Sequence, residues 1–346
     1  MLTKLLVLSA LAFGSAQVLA IETVGMRGLQ IGPSGEGLVF APVTKTEAEL
    51  NIEAATLEGE KKNGNITTKF KGQTIYLTAA TGFTTSESLA IQMQLDHQQH
   101  QVDGTSSLTK TNHESTASEF RIGPSFWRGD FLFGVHGSAL YLGEETLSSG
   151  SDRVKTDAVT IPRLRLFTGV SSGSVAAMAK TLLYNHGSTT RTSSSPSGDT
   201  KRNIKRRTAA ESSIDTHIQF TPAFGLAGSV TFVDAERVSD DNKNSYFTYG
   251  VGGLYRATAA VSLAGGMHYT DPFYKRASNA SIIDDNLGGL RLDIGTRYKL
   301  ESTLLSFGAG YVLPENTRYQ TGTSRSIVKL KRTIWVLALG ISQNLN

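Results

Sequence analysis

From Glu47 onward, apolar and polar residues alternate in runs separated by clusters of Gly, Asp, Asn and Ser, a period of two that predicts β-strands. One parity is apolar in Leu89, Ile91, Met93 and Leu95, in Phe131, Phe133, Val135, Ala139 and Tyr141, and in Leu305, Phe307, Ala309, Tyr311 and Leu313. The same holds for Ile214, Ile218 and Phe220, for Phe224, Leu226, Val230 and Phe232, and for Trp335, Leu337, Leu339 and Ile341. Counting every run predicts about fourteen strands, near positions 46–62, 64–82, 86–103, 107–127, 129–148, 154–171, 174–193, 201–220, 223–238, 243–257, 259–274, 285–300, 302–320 and 325–344. One miscounted pair would make this about 12 or about 16, and the parity of the second and seventh strands is ambiguous: Lys69, Lys71, Ile75 and Leu77 share one side.

The connections carry a second pattern. Tight turns at 82–85, 129–130, 171–173, 221–222, 256–258 and 301–302 alternate with longer links at 143–153, 192–201, 239–244 and 271–285. The alternation is weak in the first two hairpins, where 61–64 and 103–107 are also short. Short turns on the periplasmic side and longer loops outside are the habit of outer-membrane barrels, which places both termini in the periplasm. In the twelfth strand Leu290, Leu292, Ile294, Tyr298 and Leu300 take one side, and Arg291, Asp293, Arg297 and Lys299 the other. Alternation alone suits a soluble sandwich equally well. Strands longer than the usual ~5–6 residues, hairpins that succeed one another without helices, and aromatics near strand ends favour a membrane barrel. Those aromatics are Tyr141, Tyr184, Tyr246, Phe247, Tyr269, Tyr298 and Tyr319.

Composition narrows the field. At 39% hydrophobic residues and a mean hydropathy of -0.16, several apolar helical spans are excluded. The absence of cysteine removes disulfides, thiolate zinc sites and thiol nucleophiles. A net charge of +4 from 34 basic and 30 acidic residues is no argument for nucleic acid. At the N-terminus, Lys4, the apolar stretch 5–14 and the small residues ending at Ala20 form a secretory signal, with 1–20 removed on export. The apolar stretch is too short to span a bilayer, which takes ~20 residues.

The fold class expected is therefore all-β, a transmembrane antiparallel up-and-down barrel over 46–346, preceded by a short N-terminal segment that enters the lumen or stays a periplasmic tail. The last strand, with Trp335, Leu337, Leu339, Ile341 and Leu345 on one parity, resembles the C-terminal assembly signal of bacterial outer-membrane proteins, although Gln343 interrupts the run and no terminal aromatic follows. As a whole the chain resembles the porin class of channels. The segment 21–45, with Gly25, Gly28, Gly32, Gly35 and Gly37 ahead of the strands, is also similar to the long-chain fatty acid transporter family, in which such a segment forms a hatch inside the barrel. That family's Asn-Pro-Ala motif is absent after the glycines.

With the apolar parity turned outward, the candidate pore-lining residues are Asp96, Glu119, Arg121, Arg163, Arg165, Glu211, Asp215, His217, Arg291, Asp293, Arg297 and Lys299. Charged rings bias ion passage. We expect a water-filled lumen, with Arg163, Arg165, Arg291 and Arg297 forming a basic patch that favours anions; the alternative is a salt-bridge network inside a closed barrel. Facing them, Ala227, Ser229, Gly250, Gly252, Ala264, Gly266, Gly308 and Gly310 make a wall of small residues. Among the seven histidines, His217 lies two positions from Asp215 on one strand face, the pair a membrane hydrolase would use, but i and i+2 are always side by side in a strand. No metal-ligand set or helix-borne nucleophile motif stands out, so no cofactor and no catalysis is expected. The reading is passive diffusion of small solutes or ions through a charged lumen, with outer-membrane lipid and the barrel-assembly machinery as partners and no nucleic acid. The alternatives are a hatch-bearing transporter of hydrophobic compounds and a closed structural barrel.

Overall fold

A computed structural model describes residues 47–344 apart from positions 64, 87, 108–109, 173, 184–185, 208–209, 237–242, 271–274, 277–281, 284–288 and 322–325. The expected signal 1–20 and the Gly-rich segment 21–45 lie outside the described residues. Among the described residues fourteen barrel strands follow in chain order: β1 (Glu47–Asn63), β2 (Ile66–Ser86), β3 (Leu89–Ser106), β4 (Lys110–Arg128), β5 (Phe131–Leu142, then Glu145–Ser149), β6 (Asp152–Thr156, then Val159–Ser172) and β7 (Val175–Leu183, then His186–Ser195). They continue as β8 (Gly198–Arg207, then Ala210–Thr221), β9 (Phe224–Glu236), β10 (Lys243–Arg256), β11 (Val261–Thr270), β12 (Gly289–Leu300), β13 (Thr303–Thr321) and β14 (Ser326–Asn344). A separate two-stranded ribbon, Lys275–Arg276 with Ile282–Ile283, stands in the β11–β12 connection.

Each strand pairs antiparallel with the next, and β1 pairs with β14 from Glu47↔Asn344 to Asn63↔Val328. Closure satisfies every ladder and leaves no sheet edge, the condition for a sheet to sit in lipid. The two-residue turns are made by local backbone preference: Gly129 at φ 59 joins β4 to β5, and Glu301 at φ 48 starts the β12–β13 turn in the left-handed region.

The two parities separate as the alternation predicts. Ile91, Leu95, Phe120, Ile122, Phe133, Ile218, Leu263, Ile294, Leu337 and Leu339 are exposed on the outside. Such a continuous apolar band would make a soluble protein aggregate; facing lipid it is the required surface. Tyr249 stacks between Phe247 and Tyr269, with ring centroids 6.1 and 6.4 Å apart, and Tyr311 meets Trp335 at 4.3 Å. Of the expected girdle, Tyr141, Phe247, Tyr269 and Tyr298 are exposed; the side chains of Tyr184, Tyr246 and Tyr319 lie outside the described residues.

The second strand's ambiguity resolves by height. Its odd residues all face out; Ile75 and Phe83 are exposed at membrane level, while the exposed Lys71 pairs with Glu58 at 3.0 Å in the part of the strand that stands clear of the apolar band. Near that level β5 and β6 depart from simple alternation. Leu142 and the buried Gly143 follow each other on the inside, and Asp157 and Ala158 are both exposed, so both strands reverse parity here; β5 carries one residue more than β4, from Ala117↔Leu142 to Glu114↔Thr146.

Inside, Gly134 on β5 lies opposite Phe167 on β6, and a Cβ at position 134 would lie 1.9 Å from Phe167 Cζ. The ring fills the bare glycine position and meets His136 edge-on at 4.8 Å. Gly134→Val is expected to displace the ring and destabilise the barrel by about 1–3 kcal/mol, read as a lower urea midpoint, whereas an unchanged midpoint would mean that the ring does not depend on the glycine.

Candidate functional site: a charged belt facing a bare wall

A cavity of about 300 Å³ lies inside the barrel. Its charged side is a belt across β3 to β8: Asp96 on β3, Glu119 and Arg121 on β4, Arg163 and Arg165 on β6, Lys180 on β7, Glu211 and Asp215 on β8. Its bare side is Ala227 and Ser229 on β9, Gly250 and Gly252 on β10, and Gly266 on β11. Adjacent strands put these residues side by side, because Ala227 pairs with Gly252 and Gly252 with Gly266. Three neighbouring positions without bulk leave room that the long charged side chains opposite only partly take up.

Six of the belt's charged residues are paired within it or hydrogen-bonded to neighbours. Glu119 accepts from Ser138 Oγ at 2.5 Å and from Arg163 Nη1 at 3.2 Å, and lies 3.5 Å from Arg121 Nη2. Asp96 accepts from Thr78 Oγ1 and from Gln94 Nε2, both at 2.7 Å, and sits 3.5 Å from Arg121 Nη2. Lys180 Nζ lies 2.6 Å from Asp215 Oδ2. Burial of this kind is costly for a lone charge and tolerable for a paired, hydrogen-bonded one.

Seven of the twelve expected pore-lining residues therefore border one cavity: Asp96, Glu119, Arg121, Arg163, Arg165, Glu211 and Asp215. The other five lie away from it, and of these Arg291, Asp293 and Arg297 are buried. Arg291 is 1% exposed, with Nε 2.8 Å from Asp293 Oδ1 and Nη1 3.6 Å from Glu53 Oε1. Arg297 is buried beside Glu49. Lys299 is exposed at the end of β12 that leads into the Glu301 turn, and His217 Nε2 would be 2.9 Å from a Cβ placed on Gly225.

Two expectations change. The four arginines do not form a common basic patch, since Arg163 belongs to Glu119 while Arg291 and Arg297 each answer carboxylates from β1. The inner charges also do not line a wide hydrated lumen; they are largely buried in paired networks, the arrangement weighed as the alternative. The Asp215 carboxylate beside His217 is taken by Lys180, at 2.6 Å.

Lys180, Ser138 and His268 join this interior without having been singled out in the sequence. Lys180 sits on the seventh strand, whose outward residues include the small Ala177 and Ala179, so no apolar parity marked its opposite face as inward. His268, 3.9 Å from Asp293, follows three inward small residues, Ser262, Ala264 and Gly266, and carries the alternation signal weakly.

No family model matches the sequence, and no curated protein matches it. Solved structures do. A Pseudomonas aeruginosa FadL homologue superposes with a TM-score of 0.71 at 11% identity, over 92% of this chain and 96% of its own. The Pseudomonas putida toluene transporter TodX gives 0.66 at 12% identity, over 92% and 94%, and the Ralstonia pickettii toluene transporter TbuX gives 0.63 at 11%, over 91% and 94%. At such identities the likeness speaks for the fold, and the fold of this chain is that of the FadL-like outer-membrane β-barrel channels.

Proposed function

We propose that the chain is an outer-membrane channel for small hydrophobic compounds, with the glycine-rich segment 21–45 as its hatch. The observation that carries this reading is how the inner wall divides. Leu57, Phe70, Val102, Val312, Ile334 and Val336 form one buried apolar cluster on the inner faces of β13, β14, β1, β2 and β3. The charged positions, by contrast, are neutralised by neighbours. A general ion pore needs the reverse, hydrated charges facing an open lumen. An interior with an apolar strip and paired charges lets a hydrophobic solute enter with less desolvation cost than a hydrated, charge-lined lumen would. The barrel fold shared with transporters described as carrying toluene points the same way.

The test is uptake of toluene by cells that lack a hydrocarbon channel of their own, alongside planar-bilayer recording of the refolded mature chain. Accelerated toluene entry without large stable ionic steps is the expected result, and deletion of 25–37 should alter that entry. Large ohmic steps with no toluene uptake would return the chain to the simple porin reading.

A further inference from the structure

We propose that the cavity selects phenols, single aromatic rings bearing a hydroxyl, over plain hydrocarbons of similar size, with the Glu211 carboxylate accepting the hydrogen bond of the solute's O–H. The inference deepens the channel reading and rests on it: it names which small hydrophobic compounds the same cavity prefers.

Glu211 is the acid of the belt that the belt itself does not use. It lines the cavity from β8 and is partly buried. The other three acids are engaged: Asp96 accepts from Thr78 and Gln94, Glu119 from Ser138 and Arg163, and Asp215 is held by Lys180. Glu211 makes no hydrogen bond and no ion pair among the described residues, and shares only the longer-range attraction of Arg163. An ionised carboxylate accepts and cannot donate, so an open one among closed pairs is a place for a donor.

Register places room beside that carboxylate. Two positions along the inner face of β8 stands Ser213, opposite Thr231 on β9, and two positions from Thr231 stands Ser229, opposite Gly250 on β10. All four residues line the cavity. Glu211 and Thr231 are diagonal neighbours, and such neighbours lie ~7–8 Å apart. A solute whose oxygen sits on Glu211 therefore has its ring over Thr231 and Ser229 and its far edge toward the bare Gly250. A cavity of about 300 Å³ is at the small end for ligand pockets and suits a single ring.

Charge balance decides the kind of donor. The belt carries four cations and four acids, so it offers a solute no net charge. A carboxylate solute would meet Glu211 as a like charge, and an ammonium solute would bring an uncompensated positive charge into a balanced interior. A phenol ionises only near pH ~10, so at neutral pH it enters uncharged and brings one O–H donor on an apolar ring.

The test measures equilibrium binding of p-cresol, toluene and 4-methylanisole to the full mature chain in lipid nanodiscs, with binding to empty nanodiscs subtracted. All three share the ring and its methyl group; cresol adds the O–H, and the anisole keeps the oxygen without the donor. Wild type should bind cresol about tenfold more tightly than either of the others, the effect of one hydrogen bond to a charged acceptor. Glu211→Met, with heat-modifiable gel mobility as the folding check, should lose that preference and keep its toluene binding, whereas Glu211→Gln, which retains a neutral acceptor, should keep part of it. Equal binding of cresol and the anisole by wild type overturns the proposal without recourse to a variant, and a cresol preference that survives in folded Glu211→Met overturns it too. Tighter binding of benzylamine than of cresol overturns it in favour of a cation site. Uptake by cells separates this inference from the reading beneath it: toluene entry without a cresol preference leaves the channel standing and sinks the phenol inference, while entry of neither solute sinks the channel itself.

Discussion

Replacing Arg291 with Met is expected to lower the stability of the refolded barrel by about 3–5 kcal/mol, the cost of breaking a buried ion pair from one side. The Arg291 side chain is 1% exposed and that of Asp293 is 0%, with Nε and Oδ1 2.8 Å apart. Glu53 brings a second carboxylate from β1 across the interior to within 3.6 Å of Nη1. Methionine keeps much of the volume and removes the guanidinium, leaving two inward carboxylates without their cation. His268 Nε2, 3.9 Å from Asp293 Oδ2, offsets the loss only when protonated, and Gly310 opposite is bare for a reason: a Cβ there would be 2.4 Å from Asp293 Oδ1 and 3.0 Å from Arg291 Nε. The measurement is the urea midpoint of the detergent-refolded chain. The double variant Arg291→Met with Asp293→Leu should recover much of the loss, since it removes both ends of the closer pair. A single-variant loss under about 1 kcal/mol would mean that water reaches the pair and screens it.

The second large effect concerns passage and should leave stability nearly untouched. Gly252 lines the cavity between Ala227 and Gly266, and its backbone is not among the positive-φ glycines, so an L side chain suits its conformation. Gly252→Phe places a ring in a space of about 300 Å³ whose neighbours on both adjacent strands are small. Solute entry should fall at least tenfold, while the urea midpoint holds or rises, since filling a void adds contacts. Unchanged entry with a folded barrel would show that the solute path bypasses this cavity. The contrast between the two variants is the useful part: Arg291 holds the wall together, and Gly252 keeps it open.

Much of this was legible in the chain itself. A strand in lipid must alternate, so Leu290 through Leu300 announced both the strand and its outward face. The predicted strands coincide with the observed ones to within a few residues at most ends, because Gly129, Glu301 and their neighbours mark turns locally. The parity reversals in β5 and β6 escaped notice, since one extra residue in β5 relative to β4 leaves composition unchanged while reversing which parity faces in. Among the candidate residues, parity placed Asp96, Glu119, Arg163 and Asp215 inside but could not say which would meet.

The amino-acid sequence by itself determined the number of strands to within a pair, the lipid and lumen faces of most of them, and the side that carries bare glycines, because these depend on period, turn chemistry and side-chain size, all local quantities. Only the tertiary structure decided which charges neutralise which. Arg291 reaches Glu53 across the interior because closure through β13 and β14 brings β1, from the other end of the chain, round to within two strands of β12, and Lys180 rather than His217 takes Asp215 because β7 lies next to β8. Closure of the barrel sets those distances, and a Coulomb interaction, which falls with separation and strengthens with burial, then turns an expected hydrated lumen into paired networks beside an apolar strip.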